Sequence, residues 1–148
     1  MKFTGNATVS ATLTLKINGE TIKTVTGTQL THEYTFSKQG NYNIEFAATS
    51  GAQTAKATAF TCVPNAPTKA NRPTGIINGI YYDKVNPTKV TLCTYAGSKT
   101  EPAKNVFVVG GFNKWTISND YQLKQANDSA YFWIELTGLN PGQEYAMQ

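Results

Sequence analysis

Apolar and polar residues alternate with a period of two through most of this chain, which predicts strands joined by turns. Between Val9 and Ile17 the residues Ala11, Leu13, Leu15 and Ile17 fall on one face and Thr12, Thr14 and Lys16 on the other, the signature of a half-buried strand. Asn18-Gly19 follows, a pair that tolerates positive φ at both positions and marks a tight hairpin, so a strand over 21–26 is expected to pair back. After Gly27 come strands over 30–36, 42–46 and 54–63, giving about five strands up to Pro64. Gly40-Asn41-Tyr42 starts a strand either as a tyrosine corner, its hydroxyl returning to the backbone, or with an ordinary core tyrosine.

The second half repeats the pattern with more aromatic residues. Segments 75–82, 89–95, 120–125 and 131–136 read as strands, another begins at Glu144, and 105–109, apolar on both faces, reads as a central strand. Phe132, Ile134 and Leu136 share one face of their strand, which puts Tyr131, Trp133 and Glu135 on the other. Residues 65–73 hold Pro67 and Pro73, follow Pro64 and lack a hydrophobic period, so they read as an extended linker between domains at 1–64 and 74–148. A domain of such a size buries only about 60% of its unfolded surface, so the two halves are expected to pack on each other.

Composition narrows this to an all-β protein. Hydrophobic residues make up 40% of the 148 residues and charged ones only 15%, enough apolar surface for a core and too little charge for a disordered chain. The formal charge of +4 comes from lysines spread evenly along the chain, whereas nucleic-acid binders gather basic residues on one face. No nucleic-acid partner is expected, and no apolar run approaches the length of a membrane span. No signal-peptide core stands at the N-terminus; an exported protein whose leader has been removed is the preferred reading, because the second module also stops short after Leu139-Asn140-Pro141-Gly142. Cys62 and Cys93 read as partly buried thiols in preference to a disulfide that would tie the first module to the second.

Catalytic chemistry has little footing. His32 is the single histidine, in a strand, with no nucleophile pattern beside it. Glu101, Asp120, Asp128 and Glu135 fall in or near the second half, but their positions give no reason to converge as the carboxylate pair of a glycosidase. No Cys-x-x-Cys, calcium-loop or phosphate-loop spacing occurs, so neither a metal nor a cofactor is expected. Carbohydrate binding fits better, because sugars offer flat apolar faces rimmed by hydroxyls. Trp115 on a loop, flanked by Asn113 and Lys114, meets that requirement, and Tyr131 with Trp133 would add a second platform or an interface with another domain.

Gly110-Gly111-Phe112-Asn113-Lys114-Trp115, an aromatic strand, and then Leu139-Asn140-Pro141-Gly142-Gln143-Glu144-Tyr145 together resemble the immunoglobulin-like, early-set module of α-amylase-family enzymes and glycogen-binding proteins. The lead-in Asn71-Arg72-Pro73-Thr74-Gly75-Ile76 is similar to the start of that module in Bacteroidetes starch-degrading enzymes, and the resemblance covers 71–148. The first half resembles the small immunoglobulin-like repeats that precede secreted glycosidase domains. The resemblance implies two tandem immunoglobulin-like sandwiches, the second incomplete, in a secreted, periplasmic or surface protein. Their role would be non-catalytic: to position the catalytic domain of the same polypeptide and to touch α-glucan, starch or glycogen, through Trp115. Departures from the pattern are plain: Ala146 stands where glycogen-binding members carry a sugar-contacting lysine, and their second tryptophan would fall beyond Gln148. An adhesion or structural repeat without glycan binding is the alternative.

Overall fold

The computed structural model describes residues 1–98, 100–127 and 130–148. The protein is all-β: its described residues form two sheets and no α-helix, and the chain divides into two compact units, Met1–Val63 and Pro64–Gln148.

The first unit contains β1 (Lys2–Ile17), β2 (Glu20–Glu33), β3 (Gly40–Ser50) and β4 (Gln53–Val63), all antiparallel in the order β2-β1-β3-β4. Asn18 and Gly19 adopt φ 51° and 83°, the conformation that a tight hairpin turn requires. The expected break at Gly27 is absent. Its φ of 151° lets β2 run on opposite Ala11, so the strand expected over 21–26 and the start of that expected over 30–36 are one element, which ends at Glu33 before Tyr34 and Phe36. Near that glycine, residues 7–10 of β1 lie opposite Thr28 alone, a bulge that bends the hairpin. The outer half of the hairpin then doubles over the inner half, so one sheet supplies both layers. Leu13, Leu15 and Leu30 are fully buried between them, with Ala11, Ile17 and Ile44 completing the core.

Aromatic rings close one end of this core. Phe36 packs at 4.5 Å on Tyr42 and at 5.1 Å on Tyr34, ring centre to ring centre. The Tyr42 hydroxyl donates to the Lys38 carbonyl at 2.9 Å, the backbone return of a tyrosine corner.

In the second unit β5 (Lys69–Ala70), β6 (Gly79–Tyr82), β7 (Val90–Tyr95), β8 (Lys124–Ala126) and β9 (Tyr131–Leu136) form a sheet in the order β5-β8-β9-β7-β6. A second layer is built from three short segments held by single bridges, Phe107 to Gln122 and Gly110 to Met147. Hydrogen bonds reinforce it: Leu123 donates to the Val106 carbonyl at 2.8 Å, and Val109 and Gln148 exchange bonds of 3.0 and 2.9 Å. The segment around Val108 is thus central to its layer, as its apolar character predicts, although these bridges replace the regular strands expected over 105–109 and from 144 onward. Val108 and Leu123 from this layer pack on Val90, Leu92, Phe132, Ile134 and Leu136 from the sheet.

Residues 65–73 are not a free linker. The Asn65 backbone N–H donates to Asn119 Oδ1 and Gln122 Oε1, both at 3.1 Å, and the Gln122 amide returns a bond to the Asn65 carbonyl. Further on, Gln125 N–H reaches the Thr68 carbonyl at 2.8 Å and β5 pairs in parallel with β8. Proline removes donors only at its own positions, and the intervening residues keep enough backbone groups to bind along the sheet edge.

Candidate functional site

The turn that carries Trp115 is held from inside. Gly110 and the single 3-10 turn Gly111–Asn113 lead into Lys114 and Trp115, whose φ values of 54° and 58° place two consecutive non-glycine residues in the left-handed region. Such a conformation costs about 1–2 kcal/mol per residue, so the surrounding bonds must offset it. Trp115 N–H donates to the Gly110 carbonyl at 2.9 Å, and Asn113 N–H to the same oxygen at 3.1 Å. The Asn113 side chain clamps the other side: its Oδ1 accepts from Gly110 N–H at 2.8 Å and its Nδ2 donates to the Val108 carbonyl at 3.0 Å. Gly110 has no alternative, since a Cβ there would sit 2.5 Å from the Ala146 carbonyl oxygen. The result is an indole 52% exposed on a constrained support, with an exposed Lys114 beside it.

This geometry reassigns Asn113. Expected to flank a sugar, its amide is instead committed to two backbone groups. Asn113→Ala should lower the stability of this unit by about 1–2 kcal/mol, since two partly buried backbone groups lose partners. Asn113→Asp, which keeps the acceptor for Gly110, should fall between. Urea unfolding followed by tryptophan fluorescence reports both, because both tryptophans lie in this unit.

Trp133 and Tyr131 differ more sharply from expectation. They do face away from Phe132, Ile134 and Leu136, but that side of the sheet is covered and Trp133 is only 6% exposed. Its Nε1 donates to the Ala70 carbonyl at 3.4 Å, and the Lys124 ammonium lies 4.9 Å from the ring centre. The Arg72 guanidinium carbon stands 4.4 Å from the centre of the half-buried Tyr131 ring, which also meets Tyr95 at 5.0 Å. Trp133 therefore offers no open platform, and neither ring joins Trp115, which extends from the layer on the opposite side of the sheet. The covering segment is the one that reads as a linker in sequence.

Both cysteines are thiols. Burial pushes the pKa of each upward; at Cys93, buried next to Trp133's strand, the neighbouring Arg72 guanidinium pulls the other way.

A cleft of about 560 Å³ is lined by two carboxylates not expected to converge, Asp120 and Glu135, with Phe112, Tyr121 and Tyr145 in its wall. Glu135 is bound to the Lys89 ammonium at 2.6 Å, and Asp120 accepts from the Ser118 hydroxyl at 3.3 Å. Lys89 also faces Asp83 at 3.8 Å; its pKa is raised chiefly by the bond to Glu135, while backbone N–H groups of Asn86 and Val85 lower that of Asp83. The amides of this cleft serve the turn at 139–145: Asn140 Nδ2 and the Tyr145 hydroxyl both donate to Gln143 Oε1, at 2.9 and 3.1 Å. Asp128 lies outside the described residues. Among the described residues no group of three or more His, Cys, Asp or Glu side chains could hold a metal ion, and no helix is long and apolar enough to cross a membrane. No family model and no curated protein sequence matches the chain.

Proposed function

We propose that this chain is a non-catalytic accessory region of an exported or surface α-amylase-like glycoside hydrolase, which positions the catalytic domain of the same polypeptide and touches α-glucan through Trp115. The observation that carries the glucan contact is the half-exposed indole on a left-handed turn that the Asn113 clamp stabilises. Strained backbone positions cluster at functional sites, which favours a side chain held for contact here. A flat indole presented outward suits the apolar face of a glucose ring, and Lys114 lies beside it for the hydroxyl rim. The amylase context rests on the motif resemblance around Gly110–Trp115 and Leu139–Tyr145.

The alternative, a structural or adhesion repeat without glycan binding, draws support from the burial of Trp133 and the committed amide of Asn113, which leave Trp115 with fewer helpers than a strong site has. Affinity electrophoresis in glycogen or starch gels separates the two. Retardation of the wild-type chain should be lost in Trp115→Ala, with affinity at least about tenfold weaker, corresponding to about 1.4 kcal/mol. Trp115→Ala should leave the unfolding transition nearly unchanged, since the side chain is largely solvated. A wild-type chain that migrates freely removes the glycan contact and leaves the structural role.

A further inference from the structure

The two terminal strands of the first unit's sheet are built differently. β2 carries Glu20, Lys23 and Glu33, and its pairing with β1 is interrupted by two register shifts, features that discourage a further strand from joining. β4 is less protected. It pairs with β3 through eleven consecutive residues with no bulge, from Ser50 opposite Gln53 to Gly40 opposite Val63. Residues 53–60 are all exposed, and Lys56 is the one charge on the strand.

The geometry points to β4 as a self-association edge, pairing antiparallel with the β4 of a second copy about a twofold axis through Ala57. The turn fixes which backbone groups are available. Gly51 has φ 58° at the first position of a two-residue loop, so Ser50 and Gln53 close the hairpin as a hydrogen-bonded pair. In a regular antiparallel ladder Gln53, Ala55, Ala57 and Ala59 then exchange bonds with β3, and the N–H and C=O groups of Thr54, Lys56, Thr58 and Phe60 point to the outer edge. Two such edges interlock when Lys56 of one copy faces Thr58 of the other, and this register sets Ala57 against Ala57 and Ala55 against Ala59.

Charge selects the same partner. Glu45, on β3 opposite Thr58, binds Lys56 of β4 in its own copy at 3.1 Å and Lys16 of β1 at 4.0 Å. In the proposed register each Lys56 stands opposite the other copy's Thr58, one strand short of that copy's Glu45. Acidic and basic groups therefore alternate around the axis, and the two Lys56 side chains, diagonal neighbours across it, are each neutralised by the Glu45 of their own copy. On the opposite face Ala55, Ala57 and Ala59 line a groove of about 420 Å³ with Phe3, Leu13, Ile44 and Phe46, and the joined edge would bring the two copies' grooves side by side. An isologous contact of this kind is the commonest route to a dimer.

Sedimentation of the full chain at high micromolar concentration should give twice the 16.1 kDa chain mass. Thr58→Pro removes an outward donor without touching the β3 ladder and should weaken dimerisation at least about tenfold. In a Cys62→Ser background, Ala57→Cys should oxidise to a covalent dimer far faster than Lys56→Cys, because only position 57 faces itself across the axis. This pair decides the matter even if the proline variant folds poorly. A monomeric wild type, a dimer that Thr58→Pro leaves intact, or equal cross-linking at 56 and 57 overturns the proposal.

Discussion

Trp133→Ala should destabilise the second unit by about 3–5 kcal/mol, the cost of emptying a large buried aromatic site. The indole of β9 is covered by β5, with Ala70, Lys124 and the cross-strand neighbour Cys93 around it. Removing it leaves a cavity that a two-residue strand cannot refill by shifting, because β5 is tied to β8 through its backbone. Trp133→Phe should cost far less, since it keeps most of the apolar volume and gives up only a long 3.4 Å hydrogen bond. Urea unfolding followed by the fluorescence of the remaining Trp115 measures both. A loss below about 1 kcal/mol for the alanine variant would mean the ring is a surface platform after all.

What the sequence revealed and what it hid follow from the range of each signal. Asn18-Gly19 announces its hairpin because the conformational demand is met by the two residues themselves, and the faces of β9 are visible because alternation is a property of one strand. Tyr42 is in the same class, since its hydroxyl reaches a carbonyl four residues upstream. The burial of Trp133 is of another kind. Period two assigns Trp133 to the face opposite Phe132, but it says nothing of what lies on that face. The cover comes from about sixty residues away in sequence, Ala70 on Trp133 and Arg72 on Tyr131, in a stretch whose prolines read as a spacer. Gly27 misled for a related reason: a glycine flanked by polar residues looks like a turn, and only the unequal lengths of its two partner segments make it part of a bulge. Asn113 shows the limit at the site. An asparagine in a turn is legible as polar, whereas its use on Gly110 and Val108 depends on a backbone path that the residues after it, in the left-handed region, create.

Gly5→Val should lower the stability of the first unit by about 3 kcal/mol, the upper part of the range for overpacking. The bulge at residues 7–10 brings the outer half of the β1–β2 hairpin so close to β3 that a Cβ on Gly5 would occupy the volume of the Phe46 ring. Gly5 needs no unusual φ, so close approach alone explains why it lacks a side chain. The penalty should therefore depend on its neighbour. In a Phe46→Ala background the added isopropyl group fills space that the ring has left, and Gly5→Val should then cost less than about 1 kcal/mol, a coupling that a double-mutant cycle on thermal or urea unfolding measures directly. Equal costs in both backgrounds would show that the valine acts on the strand itself, and the doubled-over layer that buries Leu13, Leu15 and Leu30 would need another explanation.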